Sequence, residues 1–368
     1  MLNKKNKYYS LDRIEKYNAI YNLIIGERSN GKTYSVLSKA IDNFIKDGKM
    51  FAYVRRWQTD VTGRRASSVF NAHNSDKYIE KKSGGRYEGI TYYSGRFYAC
   101  TYGDDGRPVY TDSDCMGYCF SLSDMEHDKS TSYPDVTLIM FDEFLTKNMY
   151  LNDEFVLFCN VVSTIVRQRD DVKIYMLGNT VNKYCPYFKE MGLENVMKME
   201  QGTIDLYEYG DSGLTVAVEY CSSIKKSKKS NKYFAFNNPK LHMITGGAWE
   251  IDIYPHCPIK YKPRNIIFTY FIIFNDQCFQ CEIVEDREKD SMFTFIHPKT
   301  TPLKDTDHDL IYSLDYDHRL NHARFINRPQ NDLQSKIFWF FKTDRVYYSD
   351  NNTGDAISNY LKLCTGGI

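Results

Sequence analysis

The sequence has no run of about 18 consecutive apolar residues, the length that a membrane-spanning helix needs. It also lacks an apolar stretch after Met1-Leu2-Asn3-Lys4-Lys5, where a secretory signal would carry one. A large charge of one sign is missing too, since the net charge at pH 7 is only +1. We therefore expect a cytoplasmic protein that is not basic throughout, although a few side chains could still build a locally basic channel.

The length of 368 residues predicts two domains, because a domain takes roughly 150 residues. We expect them at 1–200 and 236–368, joined by a connecting element at 201–235. The polar, lysine-rich stretch 222–232 is typical of a linker or an exposed loop. The first domain also contains a β-rich insertion at about 84–121, where short aromatic strands alternate with turn signals.

The first domain begins with an alternation of strand and helix. An apolar run at 22–25 predicts a buried strand, and apolar residues at helical spacing predict a helix from Thr33 onwards. A second strand follows at 50–54, and strand, helix and strand at this spacing form a βαβ unit with a parallel sheet. The same pattern returns with strands at 136–141 and 172–177 and a helix between them.

One stretch matches G-x-x-x-x-G-K-[ST] in full and lies between the first strand and its helix: Gly26, Glu27, Arg28, Ser29, Asn30, Gly31, Lys32 and Thr33. The glycines let the backbone curl so that N–H groups point at phosphate oxygens, beside a helix N-terminus that favours anions. Lys32 can then reach the β and γ phosphates of ATP, and the hydroxyl of Thr33 can bind Mg²⁺. The alternative, a plain Gly-Lys turn, is disfavoured because both flanking elements are those that a phosphate-binding loop requires.

A pair of carboxylates, Asp142 and Glu143, follows the apolar strand at 136–141. An apolar strand that ends in an aspartate is a Walker B pattern, in which Asp142 holds Mg²⁺ through water. Glu143 is then the candidate catalytic base, because an attacking water must be oriented and must lose a proton. The competing interpretation, a solvated acidic turn, is disfavoured because the same chain also contains a P-loop. A second carboxylate favours hydrolysis, and a P-loop kinase for a small metabolite is the alternative.

Three further features stay ambiguous from the residues alone. Arg167 and Arg169 follow a predicted helix, where they could cap its C-terminus or act as an arginine finger on the γ-phosphate of a neighbouring subunit. Asn179 ends the next strand and could sense that phosphate or form a turn. Arg55 and Arg56 end the second strand on the same edge and carry the same ambiguity.

The second domain is predicted to be rich in strands. Runs at 266–274 and 277–284 are joined by Asn275-Asp276 and predict a hairpin, followed by a strand at 292–296 and a helix at about 354–364. Two-metal nucleases need several carboxylates that converge on ions ~4 Å apart. The run at 266–274 contains no acidic residue, so we expect no nuclease activity.

The clearest basic feature of the chain is a cluster of Lys225, Lys226, Lys228 and Lys229. A charge run of this kind is usually a solvated loop. The rival interpretation is contact with a nucleic-acid backbone, which would make binding salt-dependent.

In their order along residues 20–190, these features resemble the DNA-packaging (encapsidation) ATPases of small tailed phages, the phi29-like group related to the large terminases. The similar residues are the glycine-rich loop, Tyr53-Val54-Arg55-Arg56, Lys129-Ser130, Tyr133-Pro134, Phe141-Asp142-Glu143-Phe144, Val166-Arg167-Gln168-Arg169 and Asn179. The resemblance implies an α/β P-loop NTPase of the ASCE type, with helices on both faces of a parallel sheet. It also implies a C-terminal α+β domain that resembles a vestigial RNase H-like nuclease.

The same resemblance implies a homo-oligomeric ring, a pentamer, that uses ATP and Mg²⁺ to drive double-stranded DNA through a portal into a preformed capsid in the host cytoplasm. We expect the C-terminal domain to bind DNA, the portal or, as the resemblance implies, a structural RNA. Arg167 is then the finger acting across the subunit interface, Lys129 a second trans-acting cation, and Arg55 or Arg56 couples the nucleotide site to Glu143. The alternative is a nucleotide-regulated DNA-binding assembly protein with little turnover.

Overall fold

The computed structural model describes residues 9–127, 132–147, 150–182, 184–222, 249 and 252–365. The chain divides into two compact units. The N-terminal unit comprises residues 1–147 and 153–249, and the C-terminal unit comprises 148–152 and 250–368. Within the described ranges, every helix is too short or too polar to cross a bilayer.

Ten strands in the described part of the N-terminal unit form one sheet. They are β1 (Tyr21–Gly26), β2 (Met50–Arg55), β3 (Gly89–Tyr93), β4 (Arg96–Tyr102), β5 (Pro108–Val109), β6 (Cys115–Ser121), β7 (Val136–Asp142), β8 (Lys173–Asn179), β9 (Ile204–Glu208) and β10 (Thr215–Tyr220). Their order is β3-β4-β6-β2-β7-β8-β1-β10-β9, and β5 pairs with β4. The six strands from β6 to β10 in this order are parallel, and the strands outside them pair antiparallel.

Helices cover both faces of this sheet. They are α1 (Lys32–Asp47), α2 (Gly63–Ser67), α3 (Asn71–Ser75), α4 (Tyr78–Lys82), α5 (Glu154–Val166) and α6 (Pro186–Glu190). The buried side of α1 shares a core cluster with Met140 of β7, whereas Phe158 of α5 stacks on Phe141 at 5.1 Å between ring centroids. Because consecutive side chains of a strand point to opposite faces, α1 and α5 lie on opposite sides of β7.

These elements confirm the predicted α/β alternation and the mostly parallel sheet. The helix predicted from Thr33 begins at Lys32 and ends before Gly48, whose left-handed φ of 67° makes it the C-cap. Residues 84–121 are rich in strands, as expected, but they are not a separate insertion. Strand β6, which ends this stretch, pairs in parallel with β2 and so continues the main sheet.

The connecting element expected at 201–235 is wrong for its first part. β9 and β10 lie there, and β10 pairs in parallel with β1 and buries Val216, Ala217 and Val218. The polar residues around them suggested a linker, but burial of these apolar side chains stabilises a strand at this position. The first unit accordingly extends well beyond residue 200.

The C-terminal unit is built on a second sheet of six strands within its described residues. They are β11 (Ile266–Phe274), β12 (Gln277–Asp286), β13 (Ser291–Pro298), β14 (Ile311–Ser313), β15 (His322–Ala323) and β16 (Val346–Tyr348), with helices α7 (Asp332–Lys342) and α8 (Asn351–Thr365). The order is β15-β14-β11-β12-β13-β16. The predicted hairpin is confirmed: Asn275 and Asp276 both have positive φ, 53° and 60°, as a two-residue type I′ turn requires.

Short 3₁₀ helices complete the two units. They span Ile14–Tyr17, Gln58–Asp60, Asp112–Asp114, Leu122–His127, Glu194–Lys198, Gly210–Ser212 and Pro263–Asn265. The first of them buries Ile14 in the same core cluster as α1, so this short helix is packed into the core of the N-terminal unit.

Candidate active site

The sheet topology brings the predicted site residues to one edge. β1, β2, β7 and β8 are parallel and end at Gly26, Arg55, Asp142 and Asn179, so their carboxyl ends share that edge. Gly26 is the register partner of Asn179. Ligands of open α/β sheets bind in the crevice outside the carboxyl ends of the strands. The edge is therefore the candidate active site.

The glycine-rich loop has a backbone that its two glycines make possible. Gly31 has a left-handed φ of 95° and is the N-cap of α1. A Cβ on Gly26 would lie 2.8 Å from the Cβ of Cys221, closer than real contacts allow. Glycine is thus required at Gly31 by conformation and at Gly26 by the close approach of the chain after β10.

The ammonium of Lys32 lies inside the loop and not in solvent, with only 4% of the residue exposed. Its Nζ donates to the carbonyl oxygens of Glu27 at 2.7 Å and Gly26 at 3.3 Å, and to Oδ1 of Asn179 at 3.3 Å. Burial is the main influence on its pKa and lowers it to about 8, against the opposing effect of charges such as Asp142. An anion in the loop would favour the charged form of this lysine.

Thr33 and Asp142 form the pair of oxygen ligands that a hard cation prefers. The hydroxyl of Thr33 donates to Oδ1 of Asp142 at 3.3 Å, and the buried hydroxyl of Tyr53 donates to Oδ2 at 3.4 Å. Burial raises the pKa of Asp142, and the nearby charge of Arg55 opposes that rise. A hydroxyl and one carboxylate suit Mg²⁺, which is usually held by one or two carboxylates, phosphates and water.

Glu143 stands in a sharp turn directly after β7. Its backbone has a left-handed φ of 60°, and 56% of its side chain is exposed. Nη2 of Arg55 lies 2.6 Å from Oε2 of Glu143, while Nη1 is 3.6 Å from Oδ2 of Asp142. Nη2 is also 3.6 Å from Oδ2 of Asp60. Arg55 therefore faces the site and bridges its carboxylates.

Arg56 points the other way, into the protein, and contacts a residue that the sequence did not single out. Its guanidinium pairs with Glu154, the first residue of α5. Glu154 was not predicted as a site residue, because an acidic residue at the start of a helix is ordinarily exposed to solvent. A signal was present, since Glu154, Phe158, Val161 and Ile165 share the buried side of α5. An acid on that side implies a buried cation partner.

Arg167 and Arg169 have different surroundings at the end of α5. Arg169 donates to the carbonyl oxygen of Ile165, in the last turn of α5, at 2.9 Å and to that of Val136 at 2.7 Å. The first of these bonds is the one expected of a residue that caps the C-terminus of the helix. Arg167 is exposed and lines a surface cavity with Tyr21, the first residue of β1. Tyr21 and Gly26 lie at opposite ends of β1, roughly 16 Å apart at about 3.3 Å per residue. Arg167 therefore lies at the edge opposite the loop of its own chain.

Several predicted residues lie outside the described residues: Lys129, Lys225, Lys226, Lys228 and Lys229. Of the loop residues, Arg28 and Ser29 are exposed, and Glu27 and Asn30 are buried. Across the described ranges, no three His, Cys, Asp or Glu side chains are grouped so as to hold a metal ion. The absence of nuclease activity stays a prediction.

The chain is similar to known DNA packaging proteins. A family profile described as Podovirus DNA encapsidation protein (Gp16) matches residues 3–235. The DNA packaging protein of Bacillus phage phi29 is 30% identical over 190 residues, which make up 50% of this chain and 50% of that protein. That of Bacillus phage B103 is 31% identical over 180 residues, 48% of this chain and 49% of that protein. The chain thus spans about half the length of the curated relatives it matches.

A solved structure shares the fold over almost the whole chain. It is described as the bacteriophage Phi-29 viral genome packaging motor assembly, and it covers 97% of this chain and 100% of its own. The TM-score is 0.57 and the sequence identity is 20%. At that identity the likeness concerns the fold alone.

Proposed function

Because the chain belongs to the family of Podovirus DNA encapsidation proteins (Gp16), we propose that it is an ATP-hydrolysing motor that moves double-stranded viral DNA through a portal into a preformed capsid. One observation carries this proposal: Lys32, Thr33, Asp142 and Glu143 all lie at the carboxyl edge of one parallel sheet. That is the residue set that binding and hydrolysis of a nucleoside triphosphate require.

The first role of the site is to hold the triphosphate. The backbone N–H groups of the loop and the N-terminus of α1 favour the phosphates, and Lys32 exchanges its carbonyl partners for phosphate oxygens. Thr33 and Asp142 would hold Mg²⁺, which when bound neutralises charge on the phosphates. Asn179 accepts a hydrogen bond from Lys32 and so stands where it can respond to a terminal phosphate.

The second role is activation of water, which we assign to Glu143. Its carboxylate is exposed to solvent beside Asp142, so a water molecule can reach it. It orients that water toward the γ-phosphate and accepts its proton as the water attacks. Arg55 holds the carboxylate at 2.6 Å and also faces Asp142, so it couples the metal-binding residue to the base.

The third role is the cation that stabilises charge in the transition state. We propose Arg167, acting on the site of a neighbouring subunit. Its position supports action in trans, because it lines a cavity with Tyr21, at the end of β1 opposite to the loop of its own chain. The functional unit is then a homo-oligomeric ring, docked on the procapsid in the host cytoplasm.

For the C-terminal unit we propose a vestigial RNase H-like domain that contacts DNA, the portal or a structural RNA. The strand arrangement supports this: β11, β12 and β13 form an antiparallel meander, β14 runs parallel to β11, and β15 runs parallel to β14. RNase H-like sheets share that arrangement. β11 contains no acidic residue, and its central residue Tyr270 is buried with its hydroxyl 3.1 Å from that of Thr294.

A packaging assay tests the proposed function. Procapsids of the cognate phage are mixed with the full chain, ATP and duplex DNA, and DNA that resists added nuclease is measured. We expect protected DNA with the wild type and none with Glu143→Gln. Equal protection with both proteins, or none with either while ATP is consumed, would contradict a packaging motor.

A further inference from the structure

A buried ion pair lies directly behind the turn that carries Glu143. Arg56 and Glu154 are only 6% and 2% exposed. Nε of Arg56 lies 2.6 Å from Oε2 of Glu154, and Nη2 lies 2.8 Å from Oε1. The hydroxyl of Tyr187, itself fully buried, donates to the same Oε1 at 2.9 Å. The carboxylate is thus held by an arginine and a tyrosine from two other parts of the fold.

The remaining donors of Arg56 are directed at the backbone of the turn. Nη2 donates to the carbonyl oxygen of Phe144 at 2.8 Å, and Nη1 to that of Glu143 at 3.3 Å. On the other side, the N–H of Phe144 donates to the carbonyl of Leu177 in β8 at 3.1 Å. Both peptides that flank residue 144 are therefore fixed by hydrogen bonds.

These hydrogen bonds stabilise a backbone conformation that is unfavourable for a residue with a side chain. Glu143 has a φ of 60°, and the left-handed region is sparsely populated by residues with a side chain. Such conformations persist where the surroundings determine them, and they cluster at functional sites. The direction of the Glu143 carboxylate depends on this turn, because the side chain is itself largely exposed and is held chiefly at its tip by Arg55.

We infer that Glu154 and Tyr187 are positioning residues for Glu143: they hold Arg56 in the orientation in which it fixes the Glu143–Phe144 backbone. The inference rests on the proposed ATPase function, in which Glu143 is the base. Glu154 contacts Arg56, and Tyr187 contacts Glu154, so both act through Arg56 and the turn. Water activation then depends on a buried pair whose members are 98 positions apart in the sequence.

The pair has a second consequence through α5. Glu154 is the first residue of this helix, and Arg167 follows its last residue. The turn of a subunit's own site is thus tied to the helix that carries the arginine proposed for the neighbouring site.

Kinetics of Glu154→Gln test the inference. The glutamine keeps the size and removes the charge that holds Arg56, so we expect kcat to fall roughly tenfold or more with KM for ATP within about twofold. In the Glu143→Gln background the same change should lower the residual rate no further, because residues that act as a unit are not additive. An unchanged kcat, or an equal loss in both backgrounds, would overturn the inference.

Removing one partner of a buried ion pair can unfold a protein, so a milder variant is needed. Tyr187→Phe removes only the hydroxyl that braces Glu154, and we expect kcat to fall about threefold. Tyr175→Phe is the matched control, since Tyr175 is also buried and its hydroxyl also donates to a glutamate, Glu15, at 2.9 Å. The control should keep the wild-type kcat, and equal losses in both tyrosine variants would contradict positioning.

Amide hydrogen exchange gives a readout that does not depend on hydrolysis. We expect Glu154→Gln and Tyr187→Phe to speed exchange at residues 143–146, with no change for Tyr175→Phe. Unchanged exchange there would overturn the inference even if the wild type is an active ATPase. Faster exchange in these two variants, together with a wild type that hydrolyses no ATP, would instead contradict the proposed function and leave the role of the pair in the turn established.

Discussion

The guanidinium of Arg55 lies 2.6 Å from the carboxylate of Glu143 and 3.6 Å from that of Asp142. A single cation thus joins the residue proposed to hold the metal ion to the residue proposed to activate water. The contact with Glu143 is much the shorter, and hydrogen bonds between charged groups are the strong ones in proteins. We therefore propose that release or retention of Glu143 by Arg55 sets the rate of hydrolysis.

Replacing Arg55 should separate binding from hydrolysis. In Arg55→Gln, Glu143 loses its partner while the loop around Lys32 is untouched. We expect kcat to fall roughly tenfold or more with nucleotide affinity within about threefold. Steady-state hydrolysis and titration with a fluorescent nucleotide measure the two quantities.

Arg65→Gln is the matched control for Arg55. Arg65 pairs with Asp60, which Arg55 also faces, but makes no contact with Glu143. Its side chain is exposed, and loss of an exposed pair costs little. A control variant as slow as Arg55→Gln would show that the loss comes from Asp60 and not from Glu143.

Because Cys221 lies close to Gly26, a substitution at Cys221 should compensate for a larger residue at Gly26. The Cβ in Gly26→Ala would stand 2.8 Å from the Cβ of Cys221, so we expect a loss of about 1–3 kcal/mol in the free energy of unfolding together with weaker nucleotide binding. Removing the opposing atom in Gly26→Ala/Cys221→Gly should restore part of the binding. Equilibrium denaturation and nucleotide titration are the measurements, and a double variant as weak as Gly26→Ala would argue against the steric cause.

The action of Arg167 in trans predicts complementation between two inactive variants. Arg167→Ala subunits keep an intact loop, and Lys32→Ala subunits keep the arginine. Rings assembled from an equal mixture should regain hydrolysis that neither variant shows alone. No recovery in assembled mixed rings would contradict a finger that acts on the neighbouring subunit.

His73 predicts a dependence of stability on pH. It is buried, it stacks on Tyr34 of α1 with ring centroids 4.0 Å apart, and burial lowers its pKa to about 4. Unfolding exposes the ring, which then binds a proton below its ordinary pKa of about 6.5. Since the unfolded state binds more protons between these values, stability falls as the pH drops from about 6.5 to 4, by about 3 kcal/mol at the lower end.

Denaturant unfolding at several pH values measures this effect. His73→Gln cannot be protonated in that range, so its stability should change less between pH 6.5 and 4 than that of the wild type. An equal slope in both proteins would assign the acid sensitivity to other groups.

The sequence predicted the elements that local patterns define. The loop, its strand and its helix followed from a motif with fixed glycines, and the turn at Asn275-Asp276 from the residues a type I′ turn needs. The roles of Arg55 and Arg56 could not be separated, because consecutive residues of an extended chain point to opposite sides and a one-residue error reverses the assignment. Only the packed fold shows which arginine faces Glu143.

Other parts depended on partners distant in sequence. Glu154 is recognisable as buried only once Arg56 is seen beside it, and the two are far apart along the chain. β9 and β10 were missed because each is short and the second gains its stability from pairing with β1 across the sheet. Long-range pairing of this kind leaves little trace in a single local stretch.

The central claim is that the edge holding Lys32, Asp142 and Glu143 hydrolyses ATP in the service of DNA movement. Steady-state ATP hydrolysis by the wild type and by Glu143→Gln, each with and without duplex DNA, tests it most directly. We predict a wild-type rate that duplex DNA raises, and a rate for Glu143→Gln at least about a hundredfold lower with nucleotide still bound. Equal rates for the two proteins, or a wild-type rate indifferent to DNA, would contradict the account.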